Sequence, residues 1–187
     1  LVSNGDFSQE GSELVTNGDF ATDSDWNKTQ ATIVNGIANI SSDGSYAAID
    51  QSNVSVIGKT YLYSIDVKSI IGTLQIRLGS GTDVDITTTG VKTGYIVATS
   101  TTLEIKRKAG AGAINVTIDN VSVKEVGQDW NLNNGAAIAE DKATIIGDGS
   151  VFGYIEQLST FVSGKKYKVT LDAIINSGGG LLVKYQP

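Results

Sequence analysis

Apolar and polar residues alternate along much of this chain. Tyr61, Tyr63, Ile65 and Val67 are interleaved with Thr60, Leu62, Ser64, Asp66 and Lys68, and Leu74, Ile76 and Leu78 with Gln75 and Arg77. Successive side chains of a strand point to opposite faces, so a period of two predicts strands with one buried face. The same reading places strands at 32–35, 37–41, 46–51, 94–98, 103–108 and 113–119, with 121–126 either continuing the last of these or following a bend. No long stretch repeats its apolar residues every 3.6 positions, so almost no helix is expected. Turns at Asn35-Gly36, Asp43-Gly44 and Ser80-Gly81 separate about nine strands, a pattern that predicts an all-β, two-sheet antiparallel sandwich.

Two repeats divide the chain. Leu1-Val-Ser-Asn-Gly-Asp-Phe7 returns as Leu14-Val-Thr-Asn-Gly-Asp-Phe20 with one conservative change. Each heptad reads as a short strand, an Asn-Gly-Asp turn whose glycine takes positive φ, and a phenylalanine that drops into an apolar layer. The second heptad leads into a domain; the first reads as a remnant of a preceding module or an edge strand, with 8–13 as linker.

The larger repeat relates Trp26 onward to Trp130 onward. Asp25-Trp26 matches Asp129-Trp130, 33–40 matches 138–145, and Ser42-Asp43-Gly44-Ser45 matches Gly147-Asp148-Gly149-Ser150. Gln51 matches Gln157, Gly58-Lys59-Thr60-Tyr61 matches Gly164-Lys165-Lys166-Tyr167, and Asp66 matches Asp172. One fold used twice accounts for these shifts of 104 to 106 residues. The expected organisation is a linker or remnant over 1–13, a complete sandwich over 14–126, and the N-terminal part of a second sandwich over 127–187. That second copy runs to a strand at Leu181-Leu-Val-Lys-Tyr185, and its closing strands are expected from a longer natural chain or from another chain.

Composition narrows the chemistry. The net charge of −6 argues against duplex nucleic acid, which needs a basic face, and Lys106-Arg107-Lys108 reads as a solvated strand end. No apolar run reaches the length of a membrane span. The chain has no cysteine and no histidine, which removes disulfides, thiolate and imidazole metal sites and the common catalytic dyads. Asp83 with Asp85 is the nearest approach to a glycosidase carboxylate pair, and the segment reads as turn and edge strand with solvated acids. No enzyme is expected.

The opening Leu14-Val-Thr-Asn-Gly-Asp-Phe20, Trp26, Gly58-Lys-Thr-Tyr61 and the closing Ile118-Asp-Asn-Val-Ser-Val123 resemble the carbohydrate-binding module families 4, 9, 16 and 22. The resemblance implies a galactose-binding-like jelly roll, in tandem copies with the second incomplete. Divergent tandem copies ending in a Val-Lys-Glu-Val segment also resemble those of bacteriophage tail, fibre and head-appendage proteins. That resemblance implies a non-catalytic structural or adhesion module of a virion appendage, with homo-oligomers, other virion proteins and host-surface glycans as partners. The alternatives are a module pair of a secreted polysaccharide-degrading enzyme, or a bacterial surface adhesin repeat. The resemblance further implies a structural Ca²⁺ held by Asp19 and Asp119 with main-chain carbonyls supplying most of the other ligands, although Ala21 stands where a carboxylate often follows the phenylalanine. Turn and backbone hydrogen bonds are the other role open to these two residues.

A sugar site needs aromatic faces for stacking and amide or guanidinium groups for hydroxyls. Tyr46, Gln51, Gln75, Arg77 and Tyr95 are the candidates, whereas Trp26, Tyr61 and Tyr63 read as core.

Overall fold

A computed structural model describes residues 1–147, 149–158, 161–176 and 179–184. The residues from Val2 to Leu158 form one compact unit, and the described residues from Phe161 onward belong to another. Among the described residues there are strands and turns but no helix.

The first unit is built on an antiparallel β-sandwich. One sheet runs β3 (Ala31–Val34), β4 (Ile37–Ser42), β11 (Ile114–Val126), β6 (Thr60–Ile71) and β9 (Gly90–Val97), with β1 (Glu10–Glu13) also pairing with β11. The other runs β2 (Asn27–Thr29), β5 (Ala48–Gln51), β10 (Leu103–Arg107), β7 (Leu74–Arg77) and β8 (Val84–Ile86). The alternation read from sequence decides which side chains meet between the sheets. Tyr61, Tyr63, Ile65 and Val67 of β6 pack in one buried cluster with Ile49, Leu74, Ile76, Leu103 and Ile105 of the facing sheet. Trp26 and Phe20 join this cluster, so the reading of Trp26 as core holds.

Ile114–Val126 form one strand rather than two. Its register against β6 shifts between Asp119 and Ser122, where Asn120 has φ 50°, so 121–126 continues the strand through a bulge. There the Val121 N–H leaves the ladder and donates to Gly18 O at 2.8 Å, which seats the heptad 14–20 on the closing strand.

Three local expectations are revised. The segment 8–13, read as linker, contains β1, which runs antiparallel to the end of β11 with Glu10 opposite Val126. Its polar residues gave no alternation because main-chain bonds to β11, not burial, hold it. The heptads place positive φ on Asn4, Asn17, Phe7 and Phe20, not on Gly5 or Gly18. Gly18 is required for a different reason: a Cβ there would stand 2.0 Å from Val121 O. The expected Leu-Val-Thr strand at 14–16 is not a regular strand: the Leu14 N–H donates to Val123 O at 3.0 Å, but Glu13 Oε1 also accepts the Leu14 and Val15 N–H groups at 3.0 and 2.9 Å.

The second copy repeats the pairing of the first. β13 (Ala136–Ala139) and β14 (Lys142–Ile145) form a hairpin in which Ala136 faces Ile145 and Ile138 faces Ala143, the register of Ala31 with Ile40 and Ile33 with Ala38 in β3 and β4. β12 (Asn131–Asn133) pairs with β15 (Tyr154–Glu156) as β2 pairs with β5. The first heptad lies against this copy: Gln157 hydrogen-bonds the main chain of Ser3, and the Trp130 indole N–H donates to Asn4 O at 2.9 Å.

In the separate C-terminal unit, the Val162 N–H donates to Tyr167 Oη at 2.9 Å, as the Val56 N–H donates to Tyr61 Oη at 2.8 Å. Residues 181–184 carry no strand among the described residues, and Tyr185 of the strand expected there, like Asp148 of the expected turn, lies outside them.

Candidate functional site

The outward face of the five-stranded sheet collects most of the polar chemistry. Ile49, Leu74, Ile76, Leu103 and Ile105 point into the core, so the alternate residues Asp50, Gln75, Arg77, Glu104 and Lys106 point out. The strand register then orders them into rows. Asp50, Glu104 and Arg77 stand side by side across β5, β10 and β7, and Lys106, Gln75 and Asp85 across β10, β7 and β8. Asn27 of β2 extends the first row, its amide donating to Asp50 Oδ2 at 2.8 Å.

Each charge in these rows has a partner. Glu104 accepts from the Arg77 guanidinium and from the Tyr46 hydroxyl. Asp83 lies 3.1 Å from Lys106 Nζ and 3.6 Å from the Arg77 guanidinium. Asp85 accepts from Lys108 Nζ and, at 2.8 Å, from the Gln75 amide. These two bonds, Lys108's the larger, hold the Asp85 carboxyl below its usual range. A general acid at neutral pH needs the opposite shift from that of Asp85, and both Asp83 and Asp85 are engaged in ion pairs here. Lys106 and Lys108 of the basic cluster are spent on these acids, while Arg107 donates to Ser45 O and Gly112 O.

Tyr46 stands beside the rows with 51% of its surface exposed while its hydroxyl is fixed by Glu104. Partial burial, the bond to Glu104 and the nearby negative charges of Glu104 and Asp50 push its phenol up to about 12. The ring is therefore a neutral, oriented and accessible aromatic face.

Of the five sequence candidates, the structure brings Tyr46 and Arg77 onto this face, with Gln75 in the neighbouring row but buried, its amide bonded to Asp85. Gln51 belongs elsewhere: it is buried, and its amide binds Thr16 and Asp25 main chain. Tyr95 is on β9 of the other sheet, beside a cleft of about 20 Å³ with Phe7 and Ile138, too small for a sugar ring. Glu104 and Lys106 were missed although the alternation through Leu103–Arg107 marks them as outward; the signal was there. A larger hollow, about 370 Å³, opens by Asp85, Thr88 and Lys92, but Tyr63, the aromatic residue lining it, is buried and offers no face for stacking.

The two carboxylates expected to share calcium are each engaged. Asp19 Oδ1 accepts the Ala21 N–H at 3.3 Å, and Asp119 Oδ1 the Asn120 N–H at 2.7 Å. Asp119 Oδ2 faces Lys68 Nζ at 3.5 Å, a cation where the metal would need a vacancy. Among the described residues no group of three acidic side chains comes together, so a cation shared by Asp19 and Asp119 would take most of its ligands from main-chain carbonyls.

No family model matches the chain, and no curated protein matches it. Among solved structures, it is similar to an N-terminal cellulose-binding domain of Cellulomonas fimi β-1,4-glucanase C, with 14% identity over 59% of this chain and 95% of that one, TM-score 0.38. A family 4 carbohydrate-binding module matches at 15% identity over 67% and 99%, TM-score 0.34. A family 29 module of Piromyces equi matches at 8% identity over 56% and 82%, TM-score 0.35. Scores this low assign neither fold nor ligand to this chain; the sandwich rests on its own strand pairing and core.

Proposed function

We propose that the protein is a non-catalytic glycan-contact and structural module, used in tandem in an extracellular appendage such as a virion fibre or tail. The observation that carries the binding part is the Tyr46, Glu104 and Arg77 constellation. An exposed ring is held at its hydroxyl by a carboxylate, and that carboxylate is itself fixed by a guanidinium. A sugar ring stacks on the phenol, and its hydroxyls find fixed acceptors in Asp50 and Glu104 and donors in Asn27 and Arg77. One aromatic face gives low affinity, and repeated modules in a homo-oligomer multiply it. The virion setting is supported by the divergent tandem copies, and labelling of purified particles with an antibody to this chain tests it.

A glycan array probed with the intact chain tests the binding. Tyr46→Ala lowers the signal about 10-fold by removing the stacking face, whereas Tyr46→Phe retains most of it. Silence of the intact chain on every glycan, in monomeric and multivalent form, overturns the binding part.

A further inference from the structure

The two heptads are held by the same set of contacts, but in different copies of the fold. In the first copy, Gln51 Oε1 accepts the Thr16 N–H at 2.8 Å, and Gln51 Nε2 donates to Thr16 O at 2.9 Å and Asp25 O at 3.1 Å. Trp26 donates to Asn17 O at 3.0 Å and packs on Phe20 with ring centroids 5.4 Å apart and planes at 45°. In the second copy, Gln157 Oε1 accepts the Ser3 N–H at 2.8 Å, and Gln157 Nε2 donates to Ser3 O at 2.9 Å and Asp129 O at 3.0 Å. Trp130 donates to Asn4 O at 2.9 Å and packs on Phe7 at 5.4 Å and 49°. Every acceptor residue moves forward by 104 or 106 positions while every heptad residue moves back by 13.

We infer that Leu1-Val-Ser-Asn-Gly-Asp-Phe7 is the opening segment of the second module, and that the first module is inserted inside the second. Five residues separate Phe20 from Trp26; between Phe7 and Trp130 lies the whole of the first sandwich. The heptads therefore pair with the modules in nested order, the inner heptad with the first module and the outer heptad with the second. Two strands link the modules instead of one: β1 runs back toward the inner heptad alongside the end of β11 that runs out, with Glu10 opposite Val126 and an ion pair of 3.0 Å between Lys124 and Glu10.

The Gln157 and Trp130 clamp is thus an acceptor site for an extended peptide of one pattern. It reads the third position through main-chain atoms, so Ser3 in one heptad and Thr16 in the other are equivalent to it. It needs the Asn4 carbonyl turned toward the indole, which asparagine supplies at φ 46°, a left-handed conformation it tolerates better than most residues. Tether length fixes which heptad goes where: the short link before Trp26 gives the inner heptad the higher effective concentration at the first clamp.

The two indole N–H groups give separate signals in a ¹H–¹⁵N spectrum and so report the two clamps independently. Deleting residues 1–7 moves the Trp130 signal and leaves that of Trp26 in place, the latter showing that the first module is still folded. Synthetic Leu-Val-Ser-Asn-Gly-Asp-Phe restores the Trp130 signal saturably, and the same peptide with alanine for asparagine binds about 10-fold more weakly. In the full chain, Gln157→Ala moves the Trp130 signal alone. The inference is overturned if the deletion leaves the Trp130 signal unmoved, or if that signal in the intact chain depends on protein concentration, which means a second copy delivers the heptad.

Discussion

Gln51 is bonded to Thr16 at both ends of its amide, accepting the Thr16 N–H at 2.8 Å and donating to Thr16 O at 2.9 Å. A residue that looked like a sugar ligand is thus the latch of the inner heptad. Gln51→Ala leaves the Thr16 N–H and two carbonyls without partners, at a cost of about 2 kcal/mol. The expected result is a lower urea midpoint at unchanged m-value, with glycan-array signal at permissive temperature unaffected. A stability equal to the parent contradicts the latch.

The two heptad glycines separate steric need from motif. A Cβ on Gly18 meets Val121 O at 2.0 Å, whereas on Gly5 the nearest atom is Val2 Cγ1 at 3.4 Å, an ordinary contact. Gly18→Ala must push the heptad off β11 and lowers stability by about 2 kcal/mol; Gly5→Ala changes it by less than about 0.5 kcal/mol. Paired thermal melts of the two variants check this, and equal losses refute the steric reading.

The sandwich was legible because alternation is a local signal: Tyr61 to Val67 and Leu74 to Leu78 state which face is buried without reference to their neighbours in space. The repeat from Trp26 to Trp130 was legible too, and its matched residues carry matched bonds. The partner of the outer heptad was not, because Ser3 meets Gln157 across an entire intervening module. Strand β1 escaped for a related reason: Glu10-Gly-Ser-Glu13 has no apolar residue to alternate, and its ladder lies on β11, far along the chain. The site was half legible. Outward positions on β7 followed from alternation, but Gln51 and Tyr95 were chosen by side-chain type, and type does not say which sheet or which face a residue occupies.

The phenol of Tyr46 gives the module an alkaline signature. Its folded value is raised from 10.0 to about 12, so the folded state holds this proton more tightly than the unfolded state. The stabilisation is full below pH 10 and is lost as pH rises through about 12. Tyrosinate absorbance is expected to show a late step, shared with the buried Tyr61 and Tyr63 whose phenols are also raised, that Tyr46→Phe diminishes by one phenol. Glu104→Gln brings the Tyr46 part of that step part of the way down, since burial remains when the hydrogen-bonded charge is gone. A Tyr46 step at the ordinary phenol value contradicts the bond to Glu104.

Calcium gives a further check. With Asp119 bonded to the Asn120 N–H and facing the Lys68 ammonium, a divalent cation would have to displace Lys68 and draw most of its ligands from main-chain carbonyls. A ligand that binds only the folded state raises its melting temperature, so millimolar calcium and an excess of chelator are expected to give the same Tm. A calcium-dependent rise that Asp119→Asn abolishes reinstates the shared site.

The hairpins of the two copies differ in turn chemistry at the same geometry. Between β3 and β4 the two loop residues are Asn35 and Gly36, with φ 54° and 74°; between β13 and β14 they are Glu140 and Asp141, with φ 50° and 55°. Two-residue hairpins with positive φ at both positions favour Asn-Gly, because glycine has no Cβ to clash and asparagine tolerates the left-handed region. Glu140 holds that conformation at a disadvantage of about 1 kcal/mol. Replacing the pair by Glu140→Asn with Asp141→Gly keeps the register Ala139 with Lys142 and removes the strain. Amide hydrogen exchange across β13 and β14 is expected to slow about fivefold, corresponding to roughly 1 kcal/mol. The converse exchange in the first module, Asn35→Glu with Gly36→Asp, speeds exchange across β3 and β4. If neither pair moves exchange in its own hairpin, the turns do not carry the left-handed conformations that the shared register requires.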